Sequence, residues 1–504
     1  MNHLKLFSIL LISLMSSTVL SQSIEATLID QRTKNPIPFA TIILNQKSGV
    51  ISSEQGKFTF HLPYEVAEKD SIYIRSLGYQ EKVISAFNFT ESIIELQPED
   101  IILNEVVLLN TNYSADQIME MVRDSLLVNY QDSYTSQQIF YRDSDINGLR
   151  QFNVEVKKST IAEFNQNFAD QIINELPKSF PYHRELLGDL YLKNIATRVE
   201  ELKLKPIKAC ELYDKNNEFS SDKLEGKLQG LLQKHIKRNS YFKIKSGLIG
   251  TTTDEIDSSF FRQTSDPKVS LKDSMDQIAK SKENFNKSIR SSLVGFLNFN
   301  FLDSESDLDV IHKYNKYRFT LDGLTTLDNS LVYKISFEPK RGDYSGKLYI
   351  NTEDYGIMRI DYHNVKPLKR FNLFGISYRH HLKEGTYLYE RNDNGTYSIK
   401  FQEEHNSTLF GIDRPLNIIE KNKHVKGRRK QNQVRLGLDF EIQNIQKKTL
   451  VVFKKSSITE DVFTKVREDS MIEPAYLPQY DPMFWEGYNI LTPNKAITEF
   501  KSLP

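Results

Sequence analysis

Cysteine, tryptophan, net charge and long apolar runs are all scarce in this sequence, and each shortage excludes something. Cys210 is the only cysteine, so no disulfide can form within the chain and no cysteine is placed to carry a lipid near the N-terminus. Lys plus Arg and Asp plus Glu both number 66, leaving no overall field to draw in nucleic acid or an anionic membrane. Past the N-terminal stretch no segment has the roughly 18 uninterrupted apolar residues of a spanning helix. A membrane β-barrel is not expected either, since the ending "TEFKSLP" lacks the terminal aromatic strand typical of such barrels.

Other residues are plentiful. The chain has 504 residues, 39% of them hydrophobic and 26% charged, which is material for packed cores and too much for one ordinary domain. Phe and Tyr number 30 and 25, an enrichment that suits half-buried strands. The start, "MNHLKLFSILLISLMSSTVLSQ", has a basic entry, an apolar middle and small polar residues. It reads as a secretory signal peptide over 1–21, cut between Ser21 and Gln22.

After that point short strand-like runs alternate with turn residues, the pattern of a small β-sandwich. In "KFTFHL" the apolar Phe58, Phe60 and Leu62 alternate with Lys57, Thr59 and His61, so the aromatics face a core. Gly56 supplies the positive φ of the turn before it, and Pro38 ends the stiff corner "NPIP" just ahead of "FATIIL". Four pieces in order, "ATLIDQRTKNPIPFATIIL", "SSEQGKFTFHLP", "DSIYIRSLGYQEKVI" and "IELQPEDIILNEVVL", resemble the carboxypeptidase regulatory-like domain, a transthyretin-like sandwich. The resemblance covers about 85 residues, within 22–108. It implies a non-catalytic accessory module, found with exported enzymes and with Gram-negative outer-membrane receptors.

From Thr111 the pattern turns helical, with Ser114 or Asp116 as cap and Ile118, Val122 and Leu126 at four-residue steps. Further helices are predicted over 183–203, 222–238 and 271–294, and a strand over 137–158. A domain boundary is placed near 108–114. From Tyr314 the period returns to two, and strands continue at 385–390, 396–402, 434–443 and 448–454. The fold class expected is therefore α+β and multidomain. A seven-stranded N-terminal sandwich precedes a helix-rich region with some strands over 109–313 and a large curved antiparallel sheet over 314–504, a half-barrel being one form of it. Residues 109–504 can equally be one domain. The stretch "LVYKISFEPKRGDYSGKLYINTEDYGIMRIDY" is similar to hairpins in half-barrels of the periplasmic lipoprotein-carrier type, which implies a concave apolar groove. Residues 111–504 as a whole, with "FYRDSD" and "YDPMFWEGYNIL", resemble the part that follows the regulatory-like domain in Gram-negative envelope proteins.

Catalytic chemistry finds little support. A zinc peptidase needs a His-x-x-Glu pair and a distant third ligand, and His381 with Glu384 is the one match; no metal and no cofactor is expected. Cys210 follows a Lys-rich helix end and reads as a small buried or half-buried residue. Carboxylate pairs such as Asp303 with Glu305 or Glu403 with Glu404 carry meaning for glycoside hydrolysis only across a cleft. Arg341-Gly342-Asp343 reads as a turn. The marked charge feature is "KNKHVKGRRKQNQVR": Lys421, Lys423, Lys426, Arg428, Arg429, Lys430 and Arg435, with no acid among them. It suits either an anionic lipid surface or a solvated hairpin loop. The expectation is an exported, non-enzymatic Gram-negative protein, periplasmic or associated with the outer membrane. It binds or scaffolds there, with an outer-membrane protein complex, a lipid or a glycan as partner and no nucleic acid. The competing readings are a carbohydrate-binding accessory of polysaccharide uptake and a hydrolase.

Overall fold

The computed structural model describes residues 23–502 apart from 46–47, 100–112, 132, 196, 216–226, 228–229, 232, 238, 248, 253–270, 428 and 469–470. The signal sequence over 1–21 and most of the stretch carrying the expected boundary lie outside the described residues. The chain divides into two compact units. One takes Met1–Asp100, Thr326–Asn329 and Asp481–Asn494, and the other Ile101–Thr325, Ser330–Tyr480 and Lys495–Pro504.

The first unit holds seven strands: β1 (Ser23–Asp30), β2 (Thr41–Leu44), β3 (Ser48–Ile51), β4 (Lys57–His61), β5 (Ser71–Arg75), β6 (Lys82–Ser85) and β7 (Ile93–Leu96). They form two sheets, of order β4-β1-β7 and β3-β2-β5-β6. Alternation along the strands turns Leu28, Ile42, Phe60, Ile72, Ile74 and Ile94 into a solvent-free core, while Lys57 and Thr59 face outward. Gly56 has φ 71°, and a Cβ there would meet the Leu28 carbonyl oxygen at 2.4 Å. Both facts require glycine.

The second unit is built on one sheet of fourteen strands, open at both ends. Its elements are α1 (Ala115–Tyr130), β8 (Tyr134–Ser159), α2 (Gln166–Glu175), β9 (Ser179–Ile195), β10 (Arg198–Tyr213), β11 (Ser240–Ser246), β12 (Ile249–Thr252) and α3 (Leu271–Asn298). There follow β13 (Tyr317–Leu327), β14 (Ser330–Pro339), β15 (Tyr344–Asn351), β16 (Ile357–Asn364), β17 (Lys369–Leu373), β18 (Ile376–Arg391), β19 (Tyr397–Asn422), β20 (Lys430–Ser457), α4 (Glu460–Lys465), β21 (Ala475–Tyr476) and α5 (Lys495–Thr498). The order is β13-β14-β15-β16-β18-β19-β20-β8-β9-β10-β21, with β11 beside the far part of β19 and β17 beside β18. This is a curved sheet not closed into a barrel. Helix α1 starts as its sequence implies: Ser114 accepts from the Gln117 amide and the Gln117 side chain returns to the Ser114 amide.

Two expectations are corrected. Residues 183–203 are not a helix but the hairpin β9–β10. Their Leu, Glu and Lys favour helix, yet Leu186, Leu187, Leu190, Leu192, Leu202 and Leu204 are all buried. Burial on both faces of a central strand erases the two-residue period and leaves a run that resembles a buried helix. Gly188 belongs to that close packing, since a Cβ there would lie 2.9 Å from the Lys205 carbonyl oxygen. In consequence 109–313 is not a separate helix-rich region, because its β8, β9 and β10 lie in the same sheet as β13–β20. The helix over 271–294 is α3, and residues 230–231 and 233–235 of the one over 222–238 are helical.

Candidate functional site

The three longest strands, β8, β19 and β20, carry three successive zones on one face of the sheet. In the first, α3 lies on the sheet. Phe285, Ile289, Leu293, Phe296 and Leu297 of the helix pack with Ile139, Tyr141, Leu186, Leu190 and Leu450. Polar contacts fix its place: the hydroxyls of Tyr141 and Ser292 lie 2.8 Å apart, Gln402 Nε2 donates to the Phe296 carbonyl at 2.9 Å, and Tyr387 Oη to that of Phe299 at 2.7 Å.

The second zone, one step along the strands, is polar. By strand alternation Glu404, Asn406 and Thr408 of β19 share the face of Gln402, opposite Lys448, Gln446 and Asn444 of β20, which in turn face Asp143, Asp145 and Asn147 of β8. Asn444 Nδ2 donates to Asp145 Oδ1 at 2.8 Å, and Asn406 Nδ2 to Glu404 Oε1 at 2.5 Å. Burial lowers the basicity of Lys383, whose Nζ sits 3.5 Å from Glu404 Oε2 and 3.0 Å from the centre of the Phe299 ring. Burial likewise raises the Asp145 carboxyl, with Asp143 beside it adding to the effect. At the β9–β10 end of this belt a pocket of about 430 Å³ opens against α3, lined by Tyr182, Arg184, Glu211, Lys280, Asn284 and Ser288 among others. Arg184 is anchored there through Asp143 Oδ2 at 2.8 Å and Ser288 Oγ at 2.7 Å.

Beyond the belt the same face becomes apolar. Across β18, β19, β20 and β8 the register aligns Tyr378, Phe410, Ile442 and Leu149 in one row, and Ile376, Ile412, Phe440 and Phe152 in the next. Further along, the row of Leu438 and Val154 carries on β19 the buried Arg414, whose guanidinium donates to the Ser246 carbonyl, and Leu416, Leu436 and Val156 share the next row. Phe440 touches both Phe410 and Phe152, with ring centres 6.4 and 5.7 Å apart. Apart from the buried Leu436 these apolar side chains are half-buried or exposed, and Phe410 is 38% exposed. At about 3.3 Å per residue, the stretch from Phe410 to Ile418 runs for roughly 26 Å. Helix α2 borders it: Gln166 Nε2 donates to the Val154 carbonyl and Gln166 Oε1 accepts from the Val156 amide, each at 2.8 Å.

The basic stretch sits at the far end of the β19–β20 hairpin. Lys421 and Lys430 face each other across it and are half-buried, while Lys423, Lys426, Arg429 and Arg435 are exposed. Arg428 lies outside the described residues. Lys430 is tied to the Gln433 side chain, and Lys423 Nζ lies 5.5 Å from the centre of the Tyr241 ring. The stretch is thus half strand and half tip.

The other sequence candidates disperse. His405 Nδ1 meets Glu384 Oε1 at 3.1 Å across β18–β19, whereas His380 bonds Asn406. Glu403 and Glu404 are neighbours on β19 and point to opposite faces: Glu403 pairs with Lys447 and Glu404 with Lys383. Asp303 and Glu305 flank Arg198 at 3.8 and 3.2 Å. Arg341-Gly342-Asp343 turns the chain between β14 and β15. Cys210 is on a strand, not a helix end: it is solvent-free on β10, 3.7 Å from Glu185 Oε2, and burial pushes its thiol far up. Sequence reasoning missed the apolar zone. Its signal was the two-residue period in "FNVEV", "LFGIDRPLNI" and "VRLGLDFEI", visible only once the three segments are set side by side.

No family model and no curated protein matches this chain. Among solved structures, a DUF1329 family protein from Desulfovibrio piger is 10% identical, with 64% of this chain and 91% of that one covered and a TM-score of 0.17. A LolA superfamily protein from Nitrosomonas europaea is 9% identical, covering 70% and 98% with a TM-score of 0.15. MucB is 9% identical, covering 64% and 92% with a TM-score of 0.16. At such scores no residue or role is carried across to this chain.

Proposed function

We propose that this chain is an exported, non-enzymatic binding protein of the Gram-negative envelope, and that it holds an amphiphile with a hydrocarbon chain. The observation that carries the reading is the succession of belt and track on one face of β8, β19 and β20: hydrogen-bonding side chains, then roughly 26 Å of mainly apolar ones, interrupted on β19 by Arg414, which is engaged with the Ser246 carbonyl. A hydrocarbon chain gains free energy wherever it covers such half-exposed surface, about 25 cal/mol per Å², and a polar head is met by the belt and the pocket beside Arg184. The track is built mainly of Leu, Ile and Val with a few aromatic rings, which suits hydrocarbon better than the stacked sugar faces of a glycan. Export is supported by the apolar N-terminal stretch and its small polar residues. The seven-stranded first unit and its four motifs support a regulatory-like module, which would act by packing or partner binding.

Capture of the protein from envelope membranes, with organic extraction and mass spectrometry of what accompanies it, tests the reading. A lipid-class amphiphile is expected with the wild type and is expected to be lost from Ile412→Ser/Phe440→Ser. Equal lipid on both proteins, or none on either, would remove the proposal.

A further inference from the structure

The hairpin formed by β17 and the start of β18 is exposed on every residue of its outer strand: Lys369, Arg370, Phe371, Asn372 and Leu373. Phe371, Leu373 and Phe374 are 51%, 61% and 68% exposed, far from the norm for large apolar side chains. The tip is stranger still. Phe374 and Gly375 make the turn with φ of 50° and 74°, a two-residue connection in which Asn-Gly is the favoured pair. Phenylalanine seldom adopts the left-handed region, so this turn holds an aromatic ring in solvent at a conformational disadvantage. Three and four rungs back along the hairpin stand Lys369, Arg370 and Arg379, all exposed, and among the described residues none of the three has an ion-pair partner. The nearest acid along the ladder is Asp413, whose amide donates to the Gly375 carbonyl at 2.7 Å.

An apolar tip with unpaired cations set behind it along the hairpin matches the boundary of an anionic bilayer, where rings enter the acyl region and cations stay with phosphates. The hairpin also joins the apolar track. Phe371 stacks on Tyr378 with ring centres 6.1 Å apart, and Tyr378 is the cross-strand neighbour of Phe410. We infer that the β17–β18 hairpin is a membrane-docking element that inserts Phe371, Leu373 and Phe374 into an anionic lipid surface and sets the Phe410 end of the track against it. The part about the track rests on the amphiphile reading; the docking itself does not.

Phe374→Asn tests it cleanly, because Asn suits the turn and the hairpin stays folded while the apolar tip is removed. The purified protein is expected to sediment with vesicles of phosphatidylglycerol and phosphatidylethanolamine and not with phosphatidylcholine alone. Phe374→Asn should weaken that binding at least tenfold, and K369Q/R370Q/R379Q by about a hundredfold, given roughly one fivefold step per cation near an anionic surface. Unchanged binding by both variants, or equal binding to phosphatidylcholine, would overturn the inference. So would loss of a self-associated form in Phe374→Asn, since a second copy would then be the occupant. If Phe374→Asn binds vesicles like wild type while Ile412→Ser/Phe440→Ser loses its lipid, only the docking fails. If the tip controls vesicle binding and no lipid is ever carried, only the amphiphile reading fails.

Discussion

The near and far stretches of β8, β19 and β20 have the same strand geometry and the same alternation, yet only one of them is core. Under α3, Ile139, Tyr141 and Leu450 have no solvent exposure. Some ten residues further on, Phe152, Phe440 and Ile442 stay half-buried on the same face. Apolar side chains that a helix covers stabilise the fold through the area they remove from water. The same kind of side chain left half-open stabilises little, and is better suited to receiving something else. Strand sequence alone does not separate the two cases, for the cover comes from a helix far away in the chain.

That contrast is open to experiment. The largest effect should come from the covered end. Leu293→Ala leaves a cavity between α3 and the sheet, and chemical denaturation is expected to show a loss of about 2–5 kcal/mol. A loss under about 1 kcal/mol would mean that the helix is not the true cover.

Protons offer a second lever at His183 of β9, whose ring meets the Ser144 hydroxyl on the opposite face of the sheet. Burial holds the imidazole of His183 down to about 4, against an ordinary value of 6.5. The unfolded chain therefore binds this proton more readily. The neutral ring's contribution is complete above pH 6.5 and fades as pH falls toward 4, by up to roughly 3 kcal/mol. His183→Asn should flatten denaturation midpoints across that window. A wild-type midpoint that does not move between pH 7 and 4.5 would contradict the assignment.

The smallest stability change is expected at the open end. Phe440→Ser should shift the unfolding free energy by no more than about 1 kcal/mol, although it removes a ring central to the track. A cost comparable to Leu293→Ala would show that this zone is ordinary core, and would sharpen the comparison against the binding proposal.

How much was legible beforehand varied with how local the information is. The sandwich strands, Gly56 with its turn, the Ser114 cap and α3 could all be read, because each depends on residues a few positions apart. The hairpin β9–β10 carries a helix-like pattern because its leucines are buried on both faces, which hides the strand period. The basic stretch was visible as composition, but its division into strand and tip was not. The apolar track escaped notice because its rows join residues some 30 to 290 positions apart, such as Phe410 with Ile442 and Phe152 with Phe440.

The chain by itself determined its secondary periods, its turn chemistry, the first unit's core and the absence of internal disulfides. Propensity, capping and side-chain alternation act over a few residues, so they are written locally. Tertiary structure alone decided which apolar faces are covered, where the belt of Asn, Asp and Lys falls, and that an exposed hairpin continues the track. Those outcomes depend on strand register and on where α3 lies, and both follow from packing between segments that no local pattern connects.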